Sequence, residues 1–455
     1  MSANTIDEGV MEPGAVAPRS SSSPPRTAAS SSGVSGKALR RLLNNPYWIY
    51  GLLRFVAPVF RIPFTQWYVV SRFGHVKEVL ANSEVFRVPW DQKVVELNDG
   101  GPAFVLGLDE PRAHRAALRE LTQAFKREDI GCVAAMASQE AEAIIQAHVA
   151  KAGPGEGSVP PFDAIRDLVI RVPTRICRRY FGLPISEDRE DEFARWTMDI
   201  SSYLFGDPLG DPAVREKARQ VAEHMRAFLD RAIGDARAES PDETTILGRL
   251  VAMQRQEGGP TDAGIRAHLM GMITGFVPTD TVAAGHMLDV LIGNGRFLTW
   301  RRTRFTKPVM RAIEANDDRQ LTKCLFETLR FLPINPGPFR VCSRTYEVEG
   351  GGWFGRGSRV IPEKARLIAS TQSAMFDRRA VERPYRFDPS RCRAEYMLLG
   401  SGLHACVGIH LAEAQITQTL KALLRQKELR RAPGRAGQLE RYGPFPAHLM
   451  VQFDR

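Results

Sequence analysis

Residues 399–412, LGSGLHACVGIHLA, place one cysteine in a glycine-rich loop directly before a helical pattern. Gly400, Gly402 and Gly408 surround Cys406. A thiolate is stabilised by backbone N–H groups and by the N-terminus of a helix, and glycines let the backbone approach it closely. A large flat cofactor lying against the cysteine requires the same lack of side chains. A thiolate-ligated haem meets both requirements.

Two other interpretations of this cysteine stay open on the local residues alone. Cys406 is either a core cysteine or, together with His404 and His410, a ligand of a zinc ion. His410 follows Cys406 by one helical turn, which suits a zinc site. However, no second ligand cluster is visible to complete a tetrahedral site, and zinc has no use for the glycines.

The loop resembles the haem-binding loop of the cytochrome P-450 family, in which an aromatic residue, a glycine, a cysteine and a second glycine follow at fixed spacing. Gly402, Cys406 and Gly408 match that spacing, whereas Leu399 stands at the position of the aromatic residue. The resemblance implies haem b as the cofactor, with Cys406 as its iron ligand. It also implies that His404 is the basic group for a haem propionate.

The resemblance extends over nearly the whole chain after the N-terminal tail. Glu327-Thr-Leu-Arg330 resembles the family's Glu-x-x-Arg pair, and residues 387–391, FDPSR, resemble the segment that supplies the third member of that charge network. Arg340 stands where relatives carry an arginine for a propionate, and His114 resembles the histidine on the helix that crosses the cofactor edge. Relatives have an arginine four residues after this histidine, where the chain has Leu118.

Residues 265–292 resemble the long helix over the distal face of the haem. The centre of this helix is usually Ala/Gly-Gly-x-acid-alcohol, and its acid and alcohol relay protons to oxygen. Residues 274–281 read TGFVPTDT, which allows two registers. With Gly275 as the family glycine, Val277 and Pro278 replace the acid and the alcohol. With Asp280 and Thr281 as the acid and alcohol, Pro278 replaces the glycine.

The first register is preferred because it ends the helix at residues 293–295, GNG, where relatives stop. In either register Pro278 frees the carbonyl of Thr274 and opens the helix locally. Asp280 lies about 4.5 Å further along the axis than Val277 and roughly on the same face, so it is a candidate proton relay; a solvated or capping carboxylate is the alternative. The candidate catalytic residues are therefore Gly275, Pro278, Asp280 and Thr281.

The elements that position these residues are mostly helical. Apolar residues recur at helical spacing through most of the chain, and strand patterns occur at 66–71 and again between 340 and 370. Most of the β structure is therefore expected in one late region. The resemblance implies a mainly α fold with small β sheets, the triangular prism of the cytochrome P-450 family. Residues 1–36, rich in Ser, Pro and Ala, are predicted to be a disordered tail, and residues 37–455 a single domain.

The composition of the chain indicates its cellular location and the charge of its partners more than its function. The formal net charge of +10 favours an acidic partner but does not choose between a redox protein, an anionic lipid surface and nucleic acid. Six scattered cysteines without a CxxC pair favour a reducing, cytoplasmic location. The apolar stretch Pro46–Phe60 is too short to span a bilayer and carries Arg54 and Pro58, although interfacial contact through it stays an alternative.

The resemblance implies a haem-thiolate oxidoreductase of the monooxygenase type. Such an enzyme oxidises a lipophilic small molecule with O₂ and takes electrons from a separate acidic redox partner, either ferredoxin-like or flavodoxin-like; no nucleic-acid partner and no transmembrane segment are expected. Since the acid–alcohol pair is replaced, one alternative is a peroxide-using peroxygenase or a lipid-hydroperoxide isomerase or dehydratase. A haem-binding sensor without turnover is another. The sequence does not specify the substrate.

Overall fold

The computed structural model describes residues 47–151, 159–292 and 302–455. Within these ranges the protein is mainly α-helical, as the sequence predicts. The helices are α1 Tyr47–Val56, α2 Phe73–Ala81, α3 Asp91–Leu97, α4 Pro111–Ala124, α5 Ile130–Val149, α6 Arg171–Arg179, α7 Glu190–Ser201, α8 Pro212–Ala238, α9 Ile246–Met253, α10 Asp262–Leu291, α11 Arg302–Glu314, α12 Asp318–Phe331, α13 Thr371–Ala374 and α14 Ile409–Leu424. Two π-helical turns cover Ala164–Val169 and Ser202–Gly206. None of the helices in the described ranges is long and apolar enough to cross a membrane.

The strands form small sheets at the edges of the helical body. They are β1 Val59–Arg61, β2 Trp67–Val70, β3 Phe86–Arg87, β4 Phe162–Asp163, β5 Phe339–Cys342, β6 Tyr346–Val348, β7 Arg359–Ile361, β8 Arg366–Ala369, β9 Lys427–Arg431, β10 Glu440–Tyr442, β11 Phe445–His448 and β12 Met450–Asp454. The largest sheet has the order β1-β2-β8-β5-β3, in which β2 and β8 are parallel. The other sheets are β4-β12-β9 and the hairpins β6-β7 and β10-β11.

The long helix α10 runs through the centre of the helical body. Its N-terminus is capped by Thr261, whose side chain accepts a hydrogen bond from the amide of Gly264. Nearly all of its side chains after Ile265 are buried, so it has no solvent-facing stripe. A helix that is covered on every side is a core element, and its neighbours therefore decide what each side chain faces.

The sequence correctly predicts β2 and the late strands β5 to β8, but the expectation that most β structure lies in one late region was incomplete. Four further strands, β9 to β12, follow the Cys406 loop. Strand β9 reads KELRR and β10 reads ERY, and both are mostly exposed. Because neither alternates apolar and polar residues, they lack the period-two signal of a half-buried strand. The predicted tail at 1–36 and the predicted helix stop at 293–295 lie outside the described residues, so the division of the chain at residue 36 stays a prediction.

A buried charge network ties α12 to the chain segment that precedes the Cys406 loop. The guanidinium of Arg330 donates to the carboxylate of Glu327 at 3.0 Å, and both side chains are fully buried. Arg391 Nε donates to the same carboxylate at 3.3 Å, and the Tyr396 hydroxyl donates to it at 2.7 Å. Arg330 also donates to the backbone carbonyl of Met375. The resemblance had implied this network, and the structure forms it.

Replacing Arg330 with alanine should destabilise the protein by about 3 to 5 kcal/mol, because it leaves the Glu327 carboxylate buried with fewer partners. Arg393→Ala, which removes an exposed ion pair with Glu413, is the matched control and should change stability by less than about 1 kcal/mol. Urea-induced unfolding followed by circular dichroism measures both. Equal stability losses in the two variants would contradict the importance assigned to the buried pair.

Candidate functional site

The Cys406 loop is held by close backbone contacts that only glycine allows. The amide of Cys406 donates to the carbonyl of Leu399 at 2.9 Å, which closes the loop. Gly402 has a φ of +75°, and a Cβ there would lie 2.3 Å from the carbonyl oxygen of Leu80. Gly408 is the N-cap residue of α14. The loop therefore packs against α2 and presents its cysteine at the start of a helix.

The Cys406 thiol is in an environment that disfavours a free thiolate. Burial raises its pKa to about 11, the amide of Gly408 acts in the opposite direction, and the carboxyls of Asp280 and Glu413 raise it further. Such a thiol is a poor nucleophile by itself. A metal ion overcomes this barrier because it binds the deprotonated sulfur. The position therefore suits a metal ligand better than a nucleophile.

The zinc interpretation does not fit the contacts of the two histidines. His404 Nε2 lies 2.9 Å from Asp109 Oδ1. His410 Nδ1 lies 3.5 Å from Glu413 Oε2. Each imidazole thus already faces a carboxylate of its own, rather than converging with the other on the sulfur of Cys406. The described residues contain no cluster of three or more His, Cys, Asp and Glu side chains arranged for a metal.

Basic side chains gather beside the loop in the way an anionic cofactor requires. The rings of His114 and His404 are 5.7 Å apart, and both nitrogens of His114 and Nδ1 of His404 are buried without a protein partner. Arg340 is buried, and its guanidinium donates to the carbonyl of Phe339. Burial lowers the pKa of Arg340 to about 10, with Asp109 acting in the opposite direction. Buried donors without acceptors are costly, so this cluster fits carboxylates such as haem propionates.

Asp109 is the residue of this cluster that sequence reasoning missed. Its carboxylate accepts from the amide of Val88 at 3.0 Å as well as facing His404. It precedes the first residue of α4, Pro111, by two positions. An acid before a proline-started helix resembles an ordinary capping residue, but here the adjacent Glu110 is the cap. That leaves Asp109 to orient the loop histidine.

The candidate residues on α10 do not all face the same way. Ala267, Met270, Gly271 and Thr274 line an apolar pocket. At about 100° per residue, Pro278 is turned only about 40° from Thr274, whereas Asp280 is turned about 120° away from it.

The carboxyl of Asp280 lies within electrostatic range of two thiols, Cys177 on α6 and Cys406 in the loop, and raises the pKa of both. Burial raises the pKa of Asp280 well above its ordinary value, which favours the protonated acid. Its Oδ2 is buried without a partner in the described residues. Asp280 is therefore a buried acid that does not line the apolar pocket but acts on the proposed iron ligand. A role for this acid in proton relay stays a prediction.

The hydroxyl groups on α10 donate to the carbonyls of their own helix. Thr274 Oγ1 donates to Met270 O at 2.6 Å, and Thr281 Oγ1 donates to Val277 O at 2.7 Å. Apart from the backbone of its own helix turn and its chain neighbours, no atom of the described residues lies within 4 Å of a Cβ built on Gly275, so there is open space beside the backbone there. The centre of α10 therefore combines an open glycine and a proline with hydroxyls that are already bonded.

A small apolar pocket lies over α10. It is lined by residues of α3, of α7 with its π-helical turn, and of α10, and Trp90 packs edge-on against Phe205 at one side, with ring centroids 5.2 Å apart. Of the pocket residues, Asn98 and Thr274 are polar. The amide of Asn98 donates to Pro102 O and accepts from Arg266, so its polar atoms are engaged. The pocket suits an apolar molecule.

A thiol at a glycine-lined helix start, buried basic groups beside it and an apolar pocket over a long helix together define a haem-thiolate protein. The family model described as Cytochrome P450 matches residues 55–444, and the chain belongs to this family.

Relatives of this chain include hydroxylases and epoxidases. The chain is 25% identical to the cyclomarin C epoxidase CymV of Salinispora arenicola over 87% of this chain and 91% of that protein. It is 25% identical to the vitamin D(3) 25-hydroxylase of Pseudonocardia autotrophica over 82% of this chain and 83% of that protein. A bifunctional dioxygenase–epoxy alcohol synthase of Pyricularia oryzae is 22% identical over 88% of this chain. The match covers only 36% of that longer relative.

Solved structures agree with the fold. The crystal structure of CalO2 superposes with a TM-score of 0.69 at 19% identity, covering 90% of this chain and 96% of that chain. The protein is a cytochrome P450 monooxygenase with thiolate-ligated haem iron, as the sequence predicts. The assignments of individual site residues stay predictions.

Replacing Cys406 with serine should abolish the strongly red-shifted Soret band of the ferrous carbon-monoxide complex, because the iron would lose its thiolate ligand. Cys132→Ser, which changes an exposed cysteine on α5, is the control and should leave the band in place. Absorption spectra of both purified variants check this. A red-shifted band that persists in Cys406→Ser would disprove the ligand assignment.

Proposed function

We propose that this monooxygenase oxidises a neutral, lipophilic small molecule, using O₂ and electrons from a separate acidic redox protein. The observation that carries the proposal is the apolar pocket over α10, whose polar lining atoms are engaged in bonds within the protein. A substrate with a charged group would find no free counter-charge among these lining residues. Hydroxylation or epoxidation of a C–H or C=C group is the favoured reaction, since relatives are named for these two reactions.

In this proposal the residues around the loop hold the cofactor. Cys406 ligates the iron, and His404, His114 and Arg340 bind the propionates. Gly402 and Gly408 keep side chains away from the cofactor face, and Leu399 packs at the position where relatives have an aromatic ring. When bound, the haem supplies a thiolate-ligated iron that favours cleavage of the O–O bond.

Delivery of protons is the step for which this chain is unusual. In the preferred register Val277 and Pro278 occupy the positions of the acid and the alcohol, and neither can pass a proton. Thr281 lies one turn further on, but its hydroxyl donates to Val277 O. Pro278 has no N–H and leaves the carbonyl of Thr274 without its helical partner. We propose that water bound at this carbonyl, rather than a side-chain pair, carries protons into the pocket.

A second candidate function is the use of a peroxide or the rearrangement of a lipid hydroperoxide. Two observations favour it: the replacement of the acid–alcohol pair and the relative named as an epoxy alcohol synthase. Such reactions begin from an existing O–O bond and need no external electrons. Because the chain spans about a third of that relative's length, the same activity in this chain is a proposal.

The redox partner and the location of the protein belong to the same proposal. The formal net charge of +10 favours an acidic ferredoxin-like or flavodoxin-like donor. Six cysteines without a CxxC pair favour a cytoplasmic location. If instead a peroxide is the oxidant, no such donor is required.

We expect the wild-type enzyme to form little product per electron consumed with O₂, and to be active with an added peroxide. The double variant Val277→Glu, Pro278→Thr restores an acid and a hydroxyl at the two positions of the preferred register, so its yield of product per electron should rise. Asp280→Asn is the comparison variant, because Asp280 is the acid at the centre of α10 in the wild type. A proton-transfer role would slow turnover by about 10² to 10⁴-fold on its removal, and we expect a much smaller effect.

The measurement is product formed per electron consumed, with and without peroxide, on a substrate found by its binding-induced spectral shift. Tight coupling in the wild type that is lost in Asp280→Asn would show that Asp280 is the relay. Efficient coupling with no activity from peroxide would exclude the second candidate function.

A further inference from the structure

Four large apolar side chains lie exposed together at one corner of the protein. Leu52 and Phe55 on α1 are 53% and 61% exposed, and Trp353 and Phe354 in the β6–β7 loop are each 59% exposed. The rings of Phe55 and Phe354 are in edge contact, with centroids 5.9 Å apart. We call these four residues the aromatic patch. Apolar side chains that are exposed next to one another, rather than singly, often mark an interaction site.

The backbone under the aromatic patch is arranged to hold the rings outward. Phe354 has a φ of 54°, a left-handed conformation that bulky side chains rarely adopt. A glycine would adopt it without strain. Phe64, at the turn between β1 and β2, repeats the pattern with a φ of 60° and full exposure. Two phenylalanines are thus held in conformations that bulky side chains rarely adopt, with their rings exposed to water.

The elements that carry the aromatic patch are fixed to the body of the protein. Arg72 Nε donates to the carbonyl of Arg54 on α1 at 2.9 Å, and the Arg54 guanidinium donates to Ser373 O at 2.9 Å. A Cβ on Gly355 would lie 2.1 Å from the Arg72 guanidinium, so the loop rests directly on that side chain. The amide of Val59 donates to Gly351 O. The rings therefore protrude from a rigid support.

The described sequence that leads through the aromatic patch is basic. Residues 47–77 contain no Asp or Glu, and they contain Arg54, Arg61, Arg72 and Lys77. Arg54 is buried, whereas Arg61 and, in the patch loop itself, Arg356 are exposed. The acids closest in sequence to the patch loop are Glu347 and Glu349, and Glu347 accepts a hydrogen bond from Ser358.

We propose that the aromatic patch docks on the surface of an anionic phospholipid bilayer. Protruding Trp and Phe side chains insert at the boundary between headgroups and acyl chains, and nearby cations are attracted to anionic lipid. The exposed cations Arg61 and Arg356 suit an anionic surface, whereas a protein partner would call for directional polar groups, which these four side chains lack apart from the indole N–H. Docking of this kind would keep a peripheral enzyme close to lipophilic molecules dissolved in the membrane.

The test uses the full-length haem protein and sedimentation with phosphatidylcholine vesicles containing about one third phosphatidylglycerol. We expect binding to these vesicles, weaker binding to pure phosphatidylcholine, and loss of binding at high salt. The triple variant Phe55→Ser, Trp353→Ser, Phe354→Ser should bind at least about tenfold more weakly, because its apolar insertion is removed. Each of Arg61→Gln and Arg356→Gln should weaken binding by about fivefold.

Lys427→Gln and Arg430→Gln on β9 are the matched controls for charge, since both residues are exposed or partly exposed outside the aromatic patch, and they should not change binding. The carbon-monoxide spectrum of each variant verifies that the fold is intact. The proposal is overturned if wild type does not bind anionic vesicles, or if the triple variant binds them as well as wild type. It is also overturned if the triple variant only converts a dimer into a monomer, because the patch would then join two copies of the chain.

Discussion

The carboxylate of Glu327 is the interaction on which the rest of the site depends. It is fully buried on α12, and it accepts hydrogen bonds from Arg330, Arg391 and Tyr396. The amide of Asp388 donates to it as well. Three of these four partners lie in residues 388–396, the segment that leads directly into the Cys406 loop. The buried carboxylate of Glu327 thus holds the segment that leads into the loop. Removal of one of its partners is destabilising, because the carboxylate would remain buried without full compensation of its charge.

The loop in turn depends on backbone contacts rather than on side-chain packing. Gly402 lies against the carbonyl of Leu80, and Cys406 bonds back to Leu399. These contacts place the thiol at the start of α14, within reach of the field of Asp280 from the other side of the site. The substitution of leucine for the family's aromatic residue leaves this backbone arrangement intact.

The centre of α10 combines a pocket-lining surface with one buried acid. Ala267, Met270, Gly271 and Thr274 line the pocket, while the carboxyl of Asp280 raises the pKa of both Cys177 and Cys406. Burial without a charged partner favours the neutral acid, so Asp280 costs little charge desolvation where it is. In the preferred register this helix lacks the usual acid–alcohol pair. The proton route that we propose therefore uses backbone and water.

The sequence alone indicated the family and the fold class, which are confirmed, and it predicted the haem ligand, because these depend on residue types at fixed spacing: Cys406 among its glycines, and Glu327 three residues before Arg330. These spacings along the chain can be recognised without knowing how the helices pack. Only the tertiary structure showed that Asp280 is buried and acts on Cys406, because α10 is buried on nearly every side and its sequence has no polar face from which to predict this. Likewise, the partnership of Asp109 with His404 joins residues 295 positions apart, and the outward placement of Phe354 depends on a left-handed turn. Long-range pairing and exposure are properties of the packed chain, and local patterns do not encode them.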